Sequence, residues 1–345
     1  MSERVVLAVD GGGSKTDLAL VRLDGKLLGF ARGPSSSPHK LGLDGTLDVL
    51  ERLLDDAARE AGLSRLNGAV AEVAEVLMAG ADLPSEEDEL REAVERRRWA
   101  LRTAVGNDTF AVLRAGTERG WGVAVVCGAG INCVGVAPDG RHARFLALGE
   151  ITGDWGGGYD VGMAALTAAA RSEDGRGPRT SLEQAVPAHF GLETPPALAE
   201  AIHRGSVNRR RLAELPPVVF AEAERDPVAA GIVQRLADEV VALARAALAR
   251  LELTNQPVEV LLGGGLLQSG DGRLFGAIVA GLHETGPALK VRTTASPPIV
   301  GAALLGLDEL GAAPGAQARL REELGAAVER LGREDAEGSR RGNDG

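Results

Sequence analysis

The chain has 345 residues, more than a single hydrophobic core usually supports, so two lobes of roughly 150 residues are expected. Hydrophobic residues make up 44% and charged residues 25%, a balance that excludes a disordered, collagen-like or coiled-coil chain. The formal net charge of −11 and the aromatic content of only 3% argue against a nucleic-acid partner.

The cysteine content and the apolar runs predict a cytoplasmic protein. Only Cys127 and Cys133 are present, which excludes a disulfide framework and any CxxC metal or redox motif. The first apolar run, 5–9, is too short for a signal peptide, and the longest stretch without charges, 121–138, is too rich in glycine for a membrane helix. We therefore expect no membrane partner.

In the first part of the chain, short β-branched runs end at glycine turns and are followed by an amphipathic helix. In chain order the predicted strands are 5–9, 17–23, 26–30 and 101–105, and a helix covers 43–62. A turn at Asp24-Gly25 joins the second and third strands as a hairpin. This pattern predicts a β-meander followed by alternating helix and strand.

The same order recurs after residue 120, which predicts a duplicated α/β fold. The predicted elements are strands at 121–127, 133–137 and 258–262 and helices at 159–171 and 227–253. The segment 313–345 is dominated by charged and small residues, so we expect a charged, partly disordered tail there.

The strongest chemical signal is the segment 10–16 after the first strand. Its aspartate can direct an oxygen at a metal ion, and its glycines, hydroxyls and lysine can present donors to phosphate. A Walker A loop is excluded because Ser14 precedes Lys15 and Ala8 stands where the earlier glycine belongs. A Rossmann fingerprint fails because Thr16 takes the place of the third glycine. The alternative is a hairpin whose aspartate stabilises its own turn.

Together, the glycine turns resemble those of the BadF-type ATPase and N-acetylglucosamine kinase family, within the sugar kinase/heat-shock protein/actin superfamily. The segments that carry the resemblance occur in the family's order and are 10–16, 106–108, 128–133, 149–158, 263–265 and 296–305. The resemblance implies two RNase H-like (actin-like ATPase) lobes with a nucleotide cleft between them. It also implies phosphoryl transfer from Mg-ATP to the 6-hydroxyl of an amino sugar.

The resemblance implies a role for each site residue. Asp108 would be the catalytic general base, and Asp10 would hold Mg²⁺. The residues expected to bind ATP are Gly12, Gly13, Ser14, Lys15, Thr16, Gly128, Ala129, Gly130, Gly263, Gly264 and Gly265. The residues expected to bind the sugar are Ser37, Asn107, Asp108, Asn132 and Asp154.

Several of these residues also have an ordinary structural interpretation. Asp108 could be the N-cap of a helix over 109–115, and Asp154 could start the helix that follows 156–158. The glycines 263–265 could approach adenosine closely or form only a strand-to-helix turn. The expected lobes are 1–116 and a nucleotide-binding lobe 117–312, with the option that a last helix at about 297–310 packs back on the first lobe.

Departures from the family pattern leave the identity of the sugar substrate undetermined. Ala129 and Ile131 replace small hydroxyl residues, Ser37 stands where asparagine is expected, and Trp155 follows Asp154 where an acidic residue is common. The five histidines show no ligand spacing, and no nucleophile motif is present, so a zinc or hydrolytic mechanism is not expected.

The resemblance implies an ATP-dependent sugar kinase that acts on an amino sugar, with N-acetylglucosamine expected first, and its partners would be this small-molecule sugar and ATP. A homodimer is possible. One alternative is a family ATPase without a sugar substrate. Its redox-coupled form needs cysteines for an iron–sulfur cluster, and Cys127 and Cys133 lack that spacing. The other alternative is a sugar or nucleotide sensor without turnover.

Overall fold

The computed structural model describes residues 4–64 and 69–342, with side chains as far as 334, and divides the chain into two units. Unit 1 contains the described residues of 1–120 and 295–345, and unit 2 contains Trp121–Thr294. The predicted division after residue 116 lies close to the observed one. The expected last helix belongs to unit 1.

Ten strands and eleven α-helices are assigned to the described residues. The strands are β1 Val5–Gly11, β2 Lys15–Arg22, β3 Leu27–Pro34, β4 Ala71–Met78, β5 Ala100–Asn107, β6 Gly122–Cys127, β7 Ile131–Val136, β8 His142–Arg144, β9 Glu259–Gly263 and β10 Lys290–Thr293. The helices are α1 Pro38–Ala61, α2 Pro84–Arg97, α3 Thr109–Gly116, α4 Gly158–Glu173, α5 Leu182–His189, α6 Pro195–His203, α7 Pro216–Glu222, α8 Pro227–Arg250, α9 Gly272–Thr285, α10 Pro298–Glu309 and α11 Pro314–Gly342. Within this described part, none of the helices combines the length and apolar character needed to cross a bilayer.

Unit 1 is built on a five-stranded sheet in the order β3-β2-β1-β4-β5. β1 pairs antiparallel with β2 and parallel with β4. Leu7 and Val9 pack in a cluster with residues of α1 and α2, whereas Val6 and Ala8 pack in a second cluster with residues of α10 and α11. Because β1 is covered on both faces, its sequence is a continuous apolar run rather than an alternating one.

Unit 2 repeats the topology of unit 1. Its sheet has the order β10-β9-β6-β7-β8, with β6 antiparallel to β7 and parallel to β9. In unit 2, β6, β7 and β8 take the places that β1, β2 and β3 have in unit 1. Strands β9 and β10 take the places of β4 and β5. The predicted duplicated α/β fold with two actin-like lobes is confirmed.

The C-terminal segment differs from the expected disordered tail, because 314–342 forms helix α11. Leu320, Leu324 and Val328 follow one another at four-residue spacing and are buried in the cluster of unit 1 that contains α10. Arg321 donates a hydrogen bond of 2.6 Å to the carbonyl of Ala115. This narrow apolar stripe packs α11 against α10 and β3. Residues 343–345 lie outside the described residues.

The contact between α3 and α10 depends on Gly301. A Cβ atom at this position would lie 1.8 Å from the carbonyl oxygen of Ala111, so alanine would force the two helices apart. We expect Gly301→Ala to lower the free energy of unfolding by about 1–3 kcal/mol in urea denaturation. The control is Gly231→Ala in α8, where a Cβ atom meets nothing within 4 Å and alanine favours the helix. Equal stability of the two variants would contradict the close-contact explanation.

Candidate active site

Three carboxylates follow three adjacent parallel strands of unit 1. Asp10 lies near the end of β1, Asp82 lies in the loop after β4, and Asp108 follows β5 directly. Since β1, β4 and β5 are neighbours and run in the same direction, these carboxylates lie at the same edge of the sheet. The carboxyl ends of parallel strands are where α/β proteins bind their ligands.

Asp10 is an unusual carboxylate because it is buried beside other negative charges. It is only 8% exposed. Burial, followed by the negative charges of Asp108 and Asp17, raises its pKa to about 8, although Lys15 and Arg32 act in the opposite direction. The effect of the Asp108 charge on Asp10 agrees with the sheet order, which brings the two predicted site residues to the same edge within unit 1.

Asp108 precedes α3, but its carboxylate accepts none of the usual capping hydrogen bonds of that helix. Instead, Asn107 Oδ1 accepts hydrogen bonds from the backbone N–H of Thr109 at 3.0 Å and from its hydroxyl at 2.6 Å. Burial and then the charge of Asp82 raise the pKa of Asp108 to about 6, against the weaker effect of the N–H groups of Asp108 and Thr109. The N-cap interpretation of Asp108 therefore does not account for its side chain.

Asn107 lies beneath this site rather than at its surface. It is 3% exposed. Its Nδ2 donates a hydrogen bond of 2.8 Å to Asp82 Oδ1, and its Oδ1 is occupied by Thr109. The amide is therefore committed to neighbouring protein groups, and its predicted contact with the sugar stays a prediction.

The first glycine turn presents part of the predicted phosphate-binding set. Gly12 donates its N–H to the carbonyl of Lys15 at 2.9 Å, which closes the turn. Gly13, Ser14 and Lys15 are exposed. Thr16 is fully buried, and its hydroxyl donates to Ser36 Oγ at 2.7 Å. The side chain of Thr16 therefore supports the turn from below, and its predicted contact with phosphate stays a prediction.

The serine loop 35–37 between β3 and α1 is fixed to this glycine turn. Ser35 Oγ donates a hydrogen bond of 3.1 Å to the carbonyl of Gly12. Lys40 Nζ donates to the carbonyl of Gly13. The predicted sugar-binding residue Ser37 lies in this loop and is only 7% exposed. The structure thus brings the predicted nucleotide turn and the predicted sugar loop together in unit 1.

In unit 2, the second glycine turn 128–130 packs against the start of α4. The N–H of Gly158 donates to the carbonyl of Gly128 at 2.8 Å. A Cβ atom at Gly157 would lie 2.0 Å from the carbonyl oxygen of Ala129, so only glycine allows this approach. The side chain of Asn132, beside the turn, accepts a hydrogen bond of 2.7 Å from the N–H of Cys133.

Asp154 does not start α4, because Asp160 fills that role by accepting hydrogen bonds from the N–H groups of Gly156 and Gly157. The Asp154 carboxylate accepts a hydrogen bond from the hydroxyl of Thr152. It borders a cavity of about 640 Å³ in unit 2, which is also lined by Trp155, Tyr159, Met163 and Arg235. The helix-start alternative for Asp154 is therefore wrong, and its predicted contact with the sugar stays a prediction.

The third glycine turn, 263–265, is shaped by a contact within unit 2. Gly264 has φ +84°, and a Cβ atom there would lie 2.3 Å from the carbonyl oxygen of Cys127. The turn therefore needs glycine to pass the end of β6, which supports its interpretation as a structural turn at Gly264. A Cβ atom at Gly265 meets nothing within 4 Å, so close approach of adenosine there stays a prediction.

The duplicated sheets and their glycine turns define an actin-like ATPase fold. The chain belongs to the BadF/BadG/BcrA/BcrD ATPase family, whose family model matches residues 7–306. The family expected from the sequence is therefore confirmed.

Curated relatives and solved structures agree with this membership. The chain is 31% identical over 270 residues, 77% of its length and 86% of the relative, to an N-acetylmuramic acid/N-acetylglucosamine kinase of Clostridium acetobutylicum. It is 26% identical over 320 residues, 89% of its length and 99% of the relative, to an N-acetyl-D-glucosamine kinase of Dictyostelium discoideum. The crystal structure of a candidate N-acetylglucosamine kinase from Chromobacterium violaceum superposes with a TM-score of 0.70 at 25% identity, covering 89% of this chain and 100% of that one.

Proposed function

We propose that this protein is an ATP-dependent sugar kinase that transfers the γ-phosphoryl group to the 6-hydroxyl of an amino sugar, with N-acetylglucosamine as the first candidate. The observation that carries the proposal is Asp108, a half-buried carboxylate at a strand end whose pKa is raised to about 6. The family and the names of two curated relatives supply the substrate class. N-acetylmuramic acid is the second candidate, because one relative is named for both sugars.

In this reaction Asp108 accepts the proton of the sugar hydroxyl as the hydroxyl oxygen attacks the γ-phosphorus. The new oxygen–phosphorus bond forms while the bond to the β-phosphate oxygen breaks, and ADP leaves. A carboxylate with a pKa near 6 is ionised at neutral pH and is still a stronger base than an ordinary aspartate. Gly13, Ser14 and Lys15 present donors to the phosphates from the first glycine turn.

Asp10 is the residue we propose for Mg²⁺. Its carboxylate oxygens are ligands that Mg²⁺ prefers, and the crowding by Asp108 and Asp17 makes this a place where a divalent cation relieves repulsion. Within the described residues no cluster of three or more metal-ligating side chains occurs, so the nucleotide phosphates and water would supply the other ligands. When bound, the ion would neutralise the charge of the phosphates.

The test is a panel of N-acetylglucosamine, N-acetylmuramic acid, glucosamine and neutral hexoses, each incubated with Mg-ATP. ADP release is followed, and the product is identified by mass. We expect ADP release that depends on the sugar. ADP release without any sugar would favour the ATPase alternative, and no release with any sugar would favour a sensor.

The two cysteines give no support to the redox-coupled ATPase. Cys127 and Cys133 are both buried, and burial raises the pKa of each thiol. Cys127 donates its S–H to the carbonyl of Gly156. Cluster ligation needs accessible thiolates, and these side chains are held as buried thiols.

The pH dependence of turnover should reflect the raised pKa of Asp108. Because protonation removes the general base, kcat/KM for the sugar is expected to fall as pH drops below about 6, approaching ten-fold per pH unit. An ordinary aspartate would keep its activity down to about pH 4. The measurement is a profile from pH 4.5 to 8 with saturating Mg-ATP. A flat profile down to pH 4.5 would contradict the assignment of Asp108 as the base.

Ser37 offers a test of sugar specificity. Within the described residues its hydroxyl makes no hydrogen bond, so a replacement breaks none. Ser37→Asn adds a donor and an acceptor to the serine loop, and one gained hydrogen bond of about 0.5–1.5 kcal/mol lowers KM for N-acetylglucosamine by roughly 2- to 13-fold. Neutral hexoses serve as the comparison and should gain less. An unchanged KM would show that this loop does not contact the sugar.

A further inference from the structure

Asp82 has no role in the mechanism described so far, although it is linked directly to the residues around Asp108. It lies half-buried in the loop between β4 and α2. Its Oδ1 accepts the hydrogen bond of 2.8 Å from Asn107 Nδ2, across 25 positions of sequence. Asn107 in turn holds both the N–H and the hydroxyl of Thr109. Asp82 therefore restrains the residues on both sides of Asp108 through one side chain.

Asp82 is itself held firmly from the opposite side. Its backbone N–H donates to Glu86 Oε2 at 3.0 Å, and the N–H of Leu83 donates to the same oxygen at 2.9 Å. The other oxygen of Glu86 is 3.0 Å from His39 Nε2. His39 is in the first turn of α1, directly after the serine loop. A continuous chain of polar contacts therefore leads from His39, two residues after Ser37, through Glu86 and Asp82 to the segment that carries Asp108.

Such a network is what precise placement of a base requires. The acceptor hydroxyl and the base must meet in a narrow range of geometry, and a displacement of about 1 Å can cost on the order of 10²-fold in rate. A side chain whose supporting contacts come from two other segments has little freedom to move. After burial, the charge of Asp82 also contributes to the raised pKa of Asp108.

We propose that Asp82 is a positioning residue that holds Asn107 and thereby fixes the backbone that carries Asp108. This inference rests on the proposed function, since it takes Asp108 as the base. It also deepens that function, because it assigns the orientation of the base to a carboxylate on a different strand end. Asp82 acts through Asn107 and is not itself expected to exchange a proton with the sugar.

The experiment compares Asp82→Ala with Asp82→Asn. Alanine removes the acceptor for Asn107, whereas asparagine keeps an acceptor oxygen for it, removes the charge and replaces the second oxygen by an NH2 donor. We expect Asp82→Ala to lower kcat by about 10- to 100-fold while KM for ATP changes less than two-fold. Asp82→Asn is expected to recover most of kcat. The matched control is Asp88→Ala in α2, whose 65% exposed side chain pairs with Arg91, and it should behave as the wild type.

A double variant tests whether Asp82 acts through Asn107. If it does, Asp82→Ala combined with Asn107→Ala lowers kcat no further than the more damaging single change. Multiplicative losses would show that the two side chains act independently and would overturn the proposal. Should Asp82→Ala fail to fold by circular dichroism, Asp82→Ser takes its place, because serine is polar but too short to reach Asn107.

Hydrogen exchange of the amides in 106–110 separates this inference from the proposed function. Faster exchange is expected in Asp82→Ala and not in Asp82→Asn, whether or not a sugar is turned over. If the wild type phosphorylates no sugar but hydrogen exchange responds in this way, the proposed kinase activity is contradicted, while the restraint of segment 106–110 by Asp82 is supported. If the wild type is active while Asp82→Ala keeps both normal kcat and normal exchange, the positioning role fails and the kinase stands.

Discussion

Asp108→Asn is expected to lower sugar phosphorylation by about 10²-fold or more while folding and ATP binding stay intact. Asparagine has nearly the shape of aspartate but cannot accept the proton of the attacking hydroxyl. Because burial already disfavours the charge at this position, the neutral amide should not destabilise the protein. The measurements are kcat from sugar-dependent ADP release, ATP affinity by calorimetry and the melting temperature.

Asp88→Asn is the control for loss of one negative charge from unit 1, since Asp88 is an exposed carboxylate of α2. It should retain wild-type turnover. Near-normal kcat in a folded Asp108→Asn protein would rule out Asp108 as the general base. Loss of ATP affinity together with kcat would instead indicate that the residue organises the nucleotide.

Asp10→Asn is expected to have two opposite effects, a loss of Mg-dependent turnover and a gain in the stability of the ligand-free protein. Turnover falls because the proposed metal ligand loses its charge. Stability rises because the folded protein buries this carboxyl and surrounds it with the negative charges of Asp108 and Asp17, so the ionised form is costly. Carboxylates that serve a function at an active site commonly lower the stability of the ligand-free protein in this way.

The sign of the pH dependence follows from the direction of the pKa shift. The pKa of Asp10 rises from 3.8 to about 8 on folding, so between these values the folded chain binds more protons than the unfolded chain. Stability contributed by the neutral carboxyl is fully present at low pH and is lost as pH rises towards 8. The asparagine variant should therefore match the wild type near pH 4 and exceed it increasingly up to about pH 8.

Urea denaturation at pH 5 and pH 8.5, without Mg²⁺ or nucleotide, measures this difference. The gain of Asp10→Asn over the wild type should be clearly larger at pH 8.5. A variant that loses stability equally at both pH values would show that Asp10 supports the first hairpin, and its role in metal binding would have to be abandoned. Addition of Mg-ATP should stabilise the wild type more than the variant.

The sequence by itself determined those strands, helices and site residues that a short stretch of neighbouring residues is enough to predict. The apolar run 5–9 is continuous because β1 is covered on both faces, and the repeated strand–turn–strand order predicted the duplicated sheet. Asp10 and Asp108 could be found because each stands next to a recognisable strand end. The amphipathic helix predicted at 43–62 follows from spacing alone and lies within α1, which begins earlier at Pro38.

Other features have no local signature and were decided only by the tertiary structure. Asp82 is preceded by the single Gly80 rather than by a glycine-rich turn, and its proposed role comes from its hydrogen bond with Asn107, 25 positions later. Thr16 belongs to the predicted phosphate-binding segment. However, β3 pairs with β2 and is followed by Ser36, whose hydroxyl accepts the hydrogen bond of the buried Thr16 hydroxyl. Helix α11 is dominated by charge, and its narrow apolar stripe becomes buried only because the sheet of unit 1 has a second face to cover. In each case the deciding contact joins residues far apart in the chain, and a local pattern carries no information about such a partner.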